Sequence, residues 1–371
     1  MNKFSNDTVS VRQLVMLLFL AMMSPFASVR AANMAALAGK AAFLAPFVFL
    51  GGVCAVGLAL MGLFKTRIQS EGLFEVARRS VGDAPARVFA GAYGALMLLM
   101  AAQAMRYYGE RFLSSAGRNP TILVYAVLMA TLVALTLTRR FCDLARAGQV
   151  FFVILAAVLL AVYSISVLSL QPVYVLPVLP RDTVGTVSAG AEMLRGISVA
   201  VGAAFLAKEL RKEKKNTRRI FLWTLIFALN AAAMMFVMTA TFSPEITAII
   251  KNPAMEQARG LRLFRKVIRI DPAVVALWTL SDFCFVALAC RVAARTFSKA
   301  FGVKEKKLAL PVPAATLILS MTAVKTSLTG ETILPGQGWA ELILCFFIPV
   351  ILYFVGKIRE KNKLKKLKNN A

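Results

Sequence analysis

Histidine is absent from all 371 residues, which removes the side chain that most often serves as general base, proton shuttle or metal ligand near neutral pH. Acidic residues are scarce: 18 Asp and Glu stand against 44 Lys and Arg, a net charge of +26. The five cysteines, Cys54, Cys142, Cys284, Cys290 and Cys345, are odd in number and show no CxxC spacing. They read as small buried hydrophobes rather than disulfide partners or zinc ligands. No GxxxxGK loop, GxSxG elbow or HExxH pair occurs, so ATP-driven transport and standard hydrolase chemistry lose their usual marks. No catalytic residue, metal or cofactor is expected.

What is present in excess is apolar. Hydrophobic residues make up 59% of the chain and the mean hydropathy is +0.70, whereas soluble domains average roughly 45–50% apolar. A water-soluble fold of this size could not hide that surface. In a soluble protein the basic excess would point first to nucleic acid. Here the bases fall in short clusters between apolar runs, as in loops that face an anionic leaflet. Membrane lipid, not nucleic acid, is the expected partner of the charge.

Ten apolar stretches are long enough to cross the roughly 30 Å hydrocarbon core: Val11–Ala38 (interrupted), Ala41–Phe64, Val88–Met105, Thr121–Thr138, Gln149–Leu170, Val187–Ala207, Ile220–Phe242, Ala273–Cys290, Leu308–Thr326 and Gly338–Gly356. The expected fold is an all-α integral membrane protein of about ten spans, a single transmembrane domain over 1–371 with a basic tail at 357–371. Placing both termini in the cytoplasm puts about two thirds of the 44 bases inside, including Lys3, Arg12 and the run Lys208–Arg219, in keeping with the positive-inside rule. A cleaved secretory signal ending near Ala27–Ala32 is the alternative, and it would leave nine spans. The loop Ser243–Asp271 resists the rule. It is expected outside, yet it carries Lys251, Arg259, Arg262, Arg265, Lys266 and Arg269. Leu261, Phe264, Val267 and Ile268 interleave with those bases at helical spacing, as in an amphipathic surface helix, either solvated or docked on lipid or a partner.

Two spans carry irregular sequence. The first is interrupted at Ser24, Pro25, Phe26, Ala27 and Ser28. Proline removes a backbone donor, and unpaired carbonyls survive in hydrocarbon only beside protein, water or ligand. A ligand site at a broken helix and a plain proline kink both answer to this pattern. In the sixth span, glycines fall at Gly190, Gly196 and Gly202, and Glu192 and Arg195 lie three apart on one helical face. Those two charges are either part of a site or a structural ion pair, and the glycines equally allow close helix packing. Breaks in the first and sixth of ten spans predict a five-plus-five inverted repeat, about 10–170 and 187–356, with a site near the midplane where the halves meet. Exposed amides there suit a carboxylate, so the ligand class is an amino acid or similar small anion or zwitterion. Of the other polar groups within spans, Tyr93, Gln103, Asn230, Ser281, Lys325 and Glu341 read as interhelical hydrogen bonders. Asp282 stands out, because a lone carboxylate in mid-span must find a partner, a proton or an ion.

The order of segments carries a resemblance. Val9-Ser-Val-Arg-Gln-Leu14 precedes the first span, Gly72-Leu-Phe-Glu-Val-Ala-Arg-Arg-Ser-Val-Gly82 follows the second, Pro172 to Pro180 precede the sixth, and Ala276-Leu-Trp-Thr-Leu-Ser-Asp-Phe283 lies in the eighth. In this the chain resembles the endospore germination permease family, the B subunits of GerA-type nutrient germinant receptors, within the amino acid, polyamine and organocation transporter superfamily. The resemblance implies a LeuT-like fold and a nutrient-sensing subunit of the spore inner membrane. Its implied partners are a larger A subunit and a lipoprotein C subunit, and its implied output is ion release from the spore core. It also implies a pocket lined by Ser24–Ser28, by Glu192 to Ser198 and by the third and eighth spans near Met97 and Asp282. The alternative is an independent amino acid carrier coupled to protons or sodium.

Overall fold

The structure, a computed structural model, describes residues 8–66, 72–116, 121–211, 216–250, 252–260, 262–263, 266–267, 271–324, 336–352, 354–355 and 358. Lys3, Lys325 and the tail 359–371 lie outside the described residues.

Ser10 starts the first helix. Its Oγ accepts the Gln13 amide at 3.3 Å, and the Gln13 side chain accepts the Ser10 amide at 3.1 Å, a reciprocal capping box that satisfies two end donors. Helix α1 (Val11–Pro25) runs without a gap through a π turn (Phe26–Arg30) into α2 (Ala31–Ala38). The expected break is therefore not an unwound segment. Pro25 offers no amide, and the wider π turn absorbs the lost bond: the Phe26 amide is shared between the Met22 and Met23 carbonyls, and the Ala31 amide reaches Phe26. Gly39, with φ of +53°, closes α2 and leads by a 3-10 turn (Gly39–Leu44) into α3 (Ala45–Thr66).

Helix α4 (Leu73–Val81) is short and two-faced, with Leu73, Phe74, Val76 and Ala77 buried and Arg78 and Arg79 turned outward. Then come α5 (Asp83–Ala116), α6 (Ile122–Thr138) and α7 (Phe141–Ser166). A proline-bearing stretch of 3-10 turns precedes α8 (Thr183–Arg195), which stops at Gly196; α9 (Ser198–Gly202) and a 3-10 segment (Ala203–Glu209) complete that crossing. Next come α10 (Asn216–Phe242), α11 (Pro244–Ile249), α12 (Pro253–Arg259), α13 (Asp271–Phe301), α14 (Pro311–Thr322) and α15 (Gln337–Leu342), the last continuing into a π turn (Ile343–Phe347).

Every apolar stretch named above falls on helix over most of its described length. Among the described residues, six helical segments are long and apolar enough to cross a membrane: Ala31–Ala55, Asp83–Leu113, Phe141–Ser169, Pro180–Glu209, Arg218–Phe242 and Val274–Phe301. Val11–Pro25, Ile122–Thr138 and Gln337–Leu352 are apolar but shorter. The segments differ in depth within the bundle. In Val274–Phe301 and Pro180–Glu209, 72% of the apolar window is buried, against 22% in Phe141–Ser169. The first two are central and α7 is peripheral. Helix α13 packs along α5 and α1, and α8 along α2 and α3. On α6 and α7 the outward leucines and valines, among them Leu128, Leu135, Val153 and Leu160, form faces that suit lipid tails.

The basic loop departs from its expected form. Its described part begins with α11 and α12, and Arg262–Leu263 and Lys266–Val267 then pair as two short antiparallel strands, β1 and β2. Helical spacing of the bases did not produce a helix there; Leu261, Phe264 and Ile268 lie outside the described residues. The helix that does form, α12, docks on the chain itself. Gln257, buried, donates to Ser166 of α7 at 3.0 Å and to Thr241 of α10 at 3.2 Å.

A short backbone tie joins the start of α1 to the end of the 203–209 segment. The Val9 amide donates to the Glu209 carbonyl at 2.9 Å, and Val9 accepts the Arg211 amide at 2.8 Å.

Candidate functional site

The irregular turns of the two interrupted helices lie side by side. Arg30, last residue of the π turn, donates from Nη1 to the backbone carbonyl of Glu192 at 3.0 Å. That carbonyl is one turn before Gly196, where α8 ends, so a side chain from the turn between α1 and α2 serves the backbone of α8. The neighbouring carbonyls are served likewise: Arg195 by the Ser198 hydroxyl at 2.7 Å, and Ser198 by the Tyr93 hydroxyl from α5. Non-helical backbone at this depth is tolerated when protein groups meet its polar atoms.

Around the turns sits a charge network of two arginines and two glutamates. Arg30 reaches Glu341 at 3.0 Å and the Glu192 carboxylate at 3.7 Å. Arg195 pairs with Glu192 and lies 3.8 Å from Glu341. Asn33 donates to Glu192 at 3.3 Å, Gln337 donates to Glu341 at 3.0 Å, and Gln337 exchanges hydrogen bonds with Gln103 at 2.8–2.9 Å. Five stretches of chain thus converge: the π turn, α2, α5, α8 and α15. The Glu341 side chain is 3% exposed and that of Arg195 24%, so the network is deep at Glu341 and opens towards Arg195. Two cations and two anions balance, so the buried network carries no net formal charge.

A second polar cluster lies about 9 Å back along α1, six residues at 1.5 Å each. Ser24 donates to one oxygen of Asp282 on α13, and Arg111 on α5 donates to the other at 2.8 Å. Ser281 donates to the Leu20 carbonyl at 2.5 Å. Asp282 has the partner that a mid-span carboxylate requires, and it is a cation.

Of the residues singled out from sequence, Glu192, Arg195, Gly196, Ser198 and Gln103 meet in the first cluster, and Ser24 and Asp282 in the second. Pro25 shapes the turn between them. Phe26 is buried edge-on to Phe227 at 6.2 Å, and Ala27 is buried beside it. The Ser28 side chain lies outside the described residues. Met97 is fully buried in the core on α5. Gly190 belongs to packing: a Cβ there would come within 2.6 Å of Val48 and 3.2 Å of the Ala45 carbonyl, so the glycine sets how closely α8 approaches α3.

Sequence reasoning missed Arg30, Asn33, Arg111 and Gln337 as members, and took Glu341 for an ordinary hydrogen bonder. Arg111 had a signal. A lone mid-span acid calls for a base, and Arg106 and Arg111 follow the third stretch. The apolar stretch ends at Met105, before them, whereas α5 continues to Ala116.

The profile of a family described as spore germination protein covers residues 8–329. Both clusters fall within it except for Gln337 and Glu341, which lie beyond its end. No curated protein matches the chain.

Proposed function

The chain belongs to the spore germination protein family, and from that premise we propose that it is the nutrient-sensing subunit of a germinant receptor. In this reading a small nutrient, an amino acid or similar zwitterion, is held where the first and sixth crossings meet. The observation that carries it is the juxtaposition of the Phe26–Arg30 and Gly196–Ile197 turns, tied by Arg30 to the Glu192 carbonyl. Arginines there suit a carboxylate and glutamates an ammonium group, and both are within the same network. Ligand entering this network exchanges its own charges for those of Glu192 and Arg195. That exchange supplies a differential interaction between bound and free states, which any ligand-driven switch requires.

Around this core stand the remaining parts of the reading. Ten crossings form two halves of five in a LeuT-like inverted repeat, both termini lie in the cytoplasm, and the protein resides in the spore inner membrane. A larger A subunit and a lipoprotein C subunit complete the receptor, and nutrient binding leads to ion release.

The test is a nutrient dose-response in spores carrying Pro25→Ala or Glu192→Gln. Glu192→Gln is expected to shift the half-maximal nutrient concentration upward by about tenfold, the loss of roughly one charge-assisted hydrogen bond, and Pro25→Ala, which returns an amide to the helix at the π turn, to shift it in the same direction, with the protein still in the membrane. An unchanged curve for both variants would remove the site. Uptake of labelled amino acid by the purified chain in liposomes would favour an independent carrier; binding without uptake favours the sensor.

A further inference from the structure

Arg195 is bonded at one corner of its head group only. Nη1 meets Glu192, whereas Nε lies 3.8 Å from a Glu341 oxygen, beyond hydrogen-bond reach, and is buried with no acceptor among the described residues. The rest of the guanidinium is placed by shape. A Cβ built on Gly338 would overlap it, with Nη2, Cζ and Nε of Arg195 as the three nearest atoms. Gly338 stands in the first turn of α15, three residues before Glu341 and so on the same helical face. Arg195 therefore lies against α15 at a point where that helix has no side chain. A Cβ at Gly196, by contrast, would meet Nε of Arg30 at 3.6 Å, an ordinary contact.

What would happen if the space at 338 were filled follows from what has to give. The obstacle is the far end of a flexible side chain, not backbone. Alanine also forms helix better than glycine. A methyl group at 338 thus leaves α15 in place and turns the Arg195 head away, toward the side on which the network is open. Arg30 alone then stands against Glu192 and Glu341, one cation against two anions. A site of that balance attracts an ammonium group and repels a carboxylate.

We propose that Gly338 sets the charge preference of the nutrient pocket. By seating Arg195 inside the network it fits the pocket to ligands that carry a carboxylate beside an ammonium group, and a side chain at 338 shifts it to ligands that carry the ammonium alone. Gly338 is a positioning residue, acting through Arg195. The inference rests on the nutrient reading above, and its test separates the two.

Spores carrying the unmodified chain, Gly338→Ala or the control Gly51→Ala are compared in two measurements. In the first, their membranes are treated with phenylglyoxal, and adducts at Arg195 and Arg111 are followed by mass spectrometry. Arg195 is expected to react several-fold faster in Gly338→Ala than in the other two chains, with Arg111 unchanged. In the second, each of the common amino acids, and the amide of each, is offered singly as germinant. The unmodified chain and Gly51→Ala are expected to prefer an amino acid to its amide, and Gly338→Ala to narrow that ratio about tenfold, the worth of one charge-assisted hydrogen bond. A purely structural fault would weaken both ligands together and leave the ratio where it was. Equal reaction of Arg195 in all three chains, a matching rise at Arg111, loss of Gly338→Ala from the membrane, or an unmoved ratio overturns the proposal and leaves the nutrient reading standing. Failure of every amino acid with the unmodified chain removes the nutrient reading and the proposal with it.

Discussion

Arg111 of α5 and Asp282 of α13 form an ion pair at 2.8 Å with side-chain exposures of 5% and 2%, and Ser24 of α1 occupies the second carboxylate oxygen. Three of the innermost helices are thereby joined at one point. Such a pair contributes little net stability, because desolvation of both charges offsets their attraction; removing one partner is the costly event.

Asp282→Asn leaves the Arg111 charge buried opposite a neutral group. It is expected to destabilise the protein by about 3–5 kcal/mol, read as a lowered thermal midpoint of the detergent-solubilised chain. The double variant Arg111→Met/Asp282→Leu is expected to regain most of that loss. A double variant as unstable as the single one would rule out the uncompensated charge as the cause.

The balance of Arg30, Arg195, Glu192 and Glu341 makes a parallel prediction about coupling. Arg30→Gln and Glu341→Gln each leave the network with one unmatched charge, whereas the double variant restores neutrality. Residues in one such network couple by about 0.5–3 kcal/mol. A thermal double-mutant cycle is expected to show the double variant losing less than the sum of the singles; strict additivity would mean that Arg30 and Glu341 do not act as a pair.

Packing between α8 and α3 makes Gly190 sensitive. Gly190→Ala drives a methyl against Val48 and is expected to cost about 1–3 kcal/mol. Nothing lies within 4 Å of a Cβ at Gly51 on α3, so Gly51→Ala is expected to be neutral or to stabilise by up to about 1 kcal/mol through helix propensity. Melting curves of the two variants side by side decide the matter.

Topology is open to a labelling test. In a cysteine-free background, Glu245→Cys on α11 and Lys306→Cys after α13 are expected to react with a membrane-impermeant maleimide from opposite sides, Glu245→Cys from outside. Labelling of both from one side would mean that α13 does not cross, and the ten-span arrangement would have to be redrawn.

Much of this architecture was legible from residue order. The apolar runs coincide with helices because length and composition alone decide what hydrocarbon will accept. The sixth stretch reads as irregular from Gly190, Gly196 and Gly202 together, and α8 stops at one of them, Gly196. The first break was legible in place but not in form. Pro25 announces a lost hydrogen bond, and only packing determines whether the helix unwinds or widens into a π turn. Arg111 was hidden for a different reason: hydropathy closes a helix at its first charges, although a helix whose charges find partners continues past them. The pairing of Arg262–Leu263 with Lys266–Val267 is the reverse case, since spacing that fits a helix did not outweigh the local strand pairing.

The Val9 tie to Glu209 and Arg211 has a mechanical consequence. Because both interrupted helices are fastened together at that end, neither can slide past the other there, and their relative freedom is confined to the stretches beyond the knot. Any displacement of Arg211 is therefore delivered to the head of α1 as a pull, and a tug on Val9 is delivered equally to the 203–209 segment.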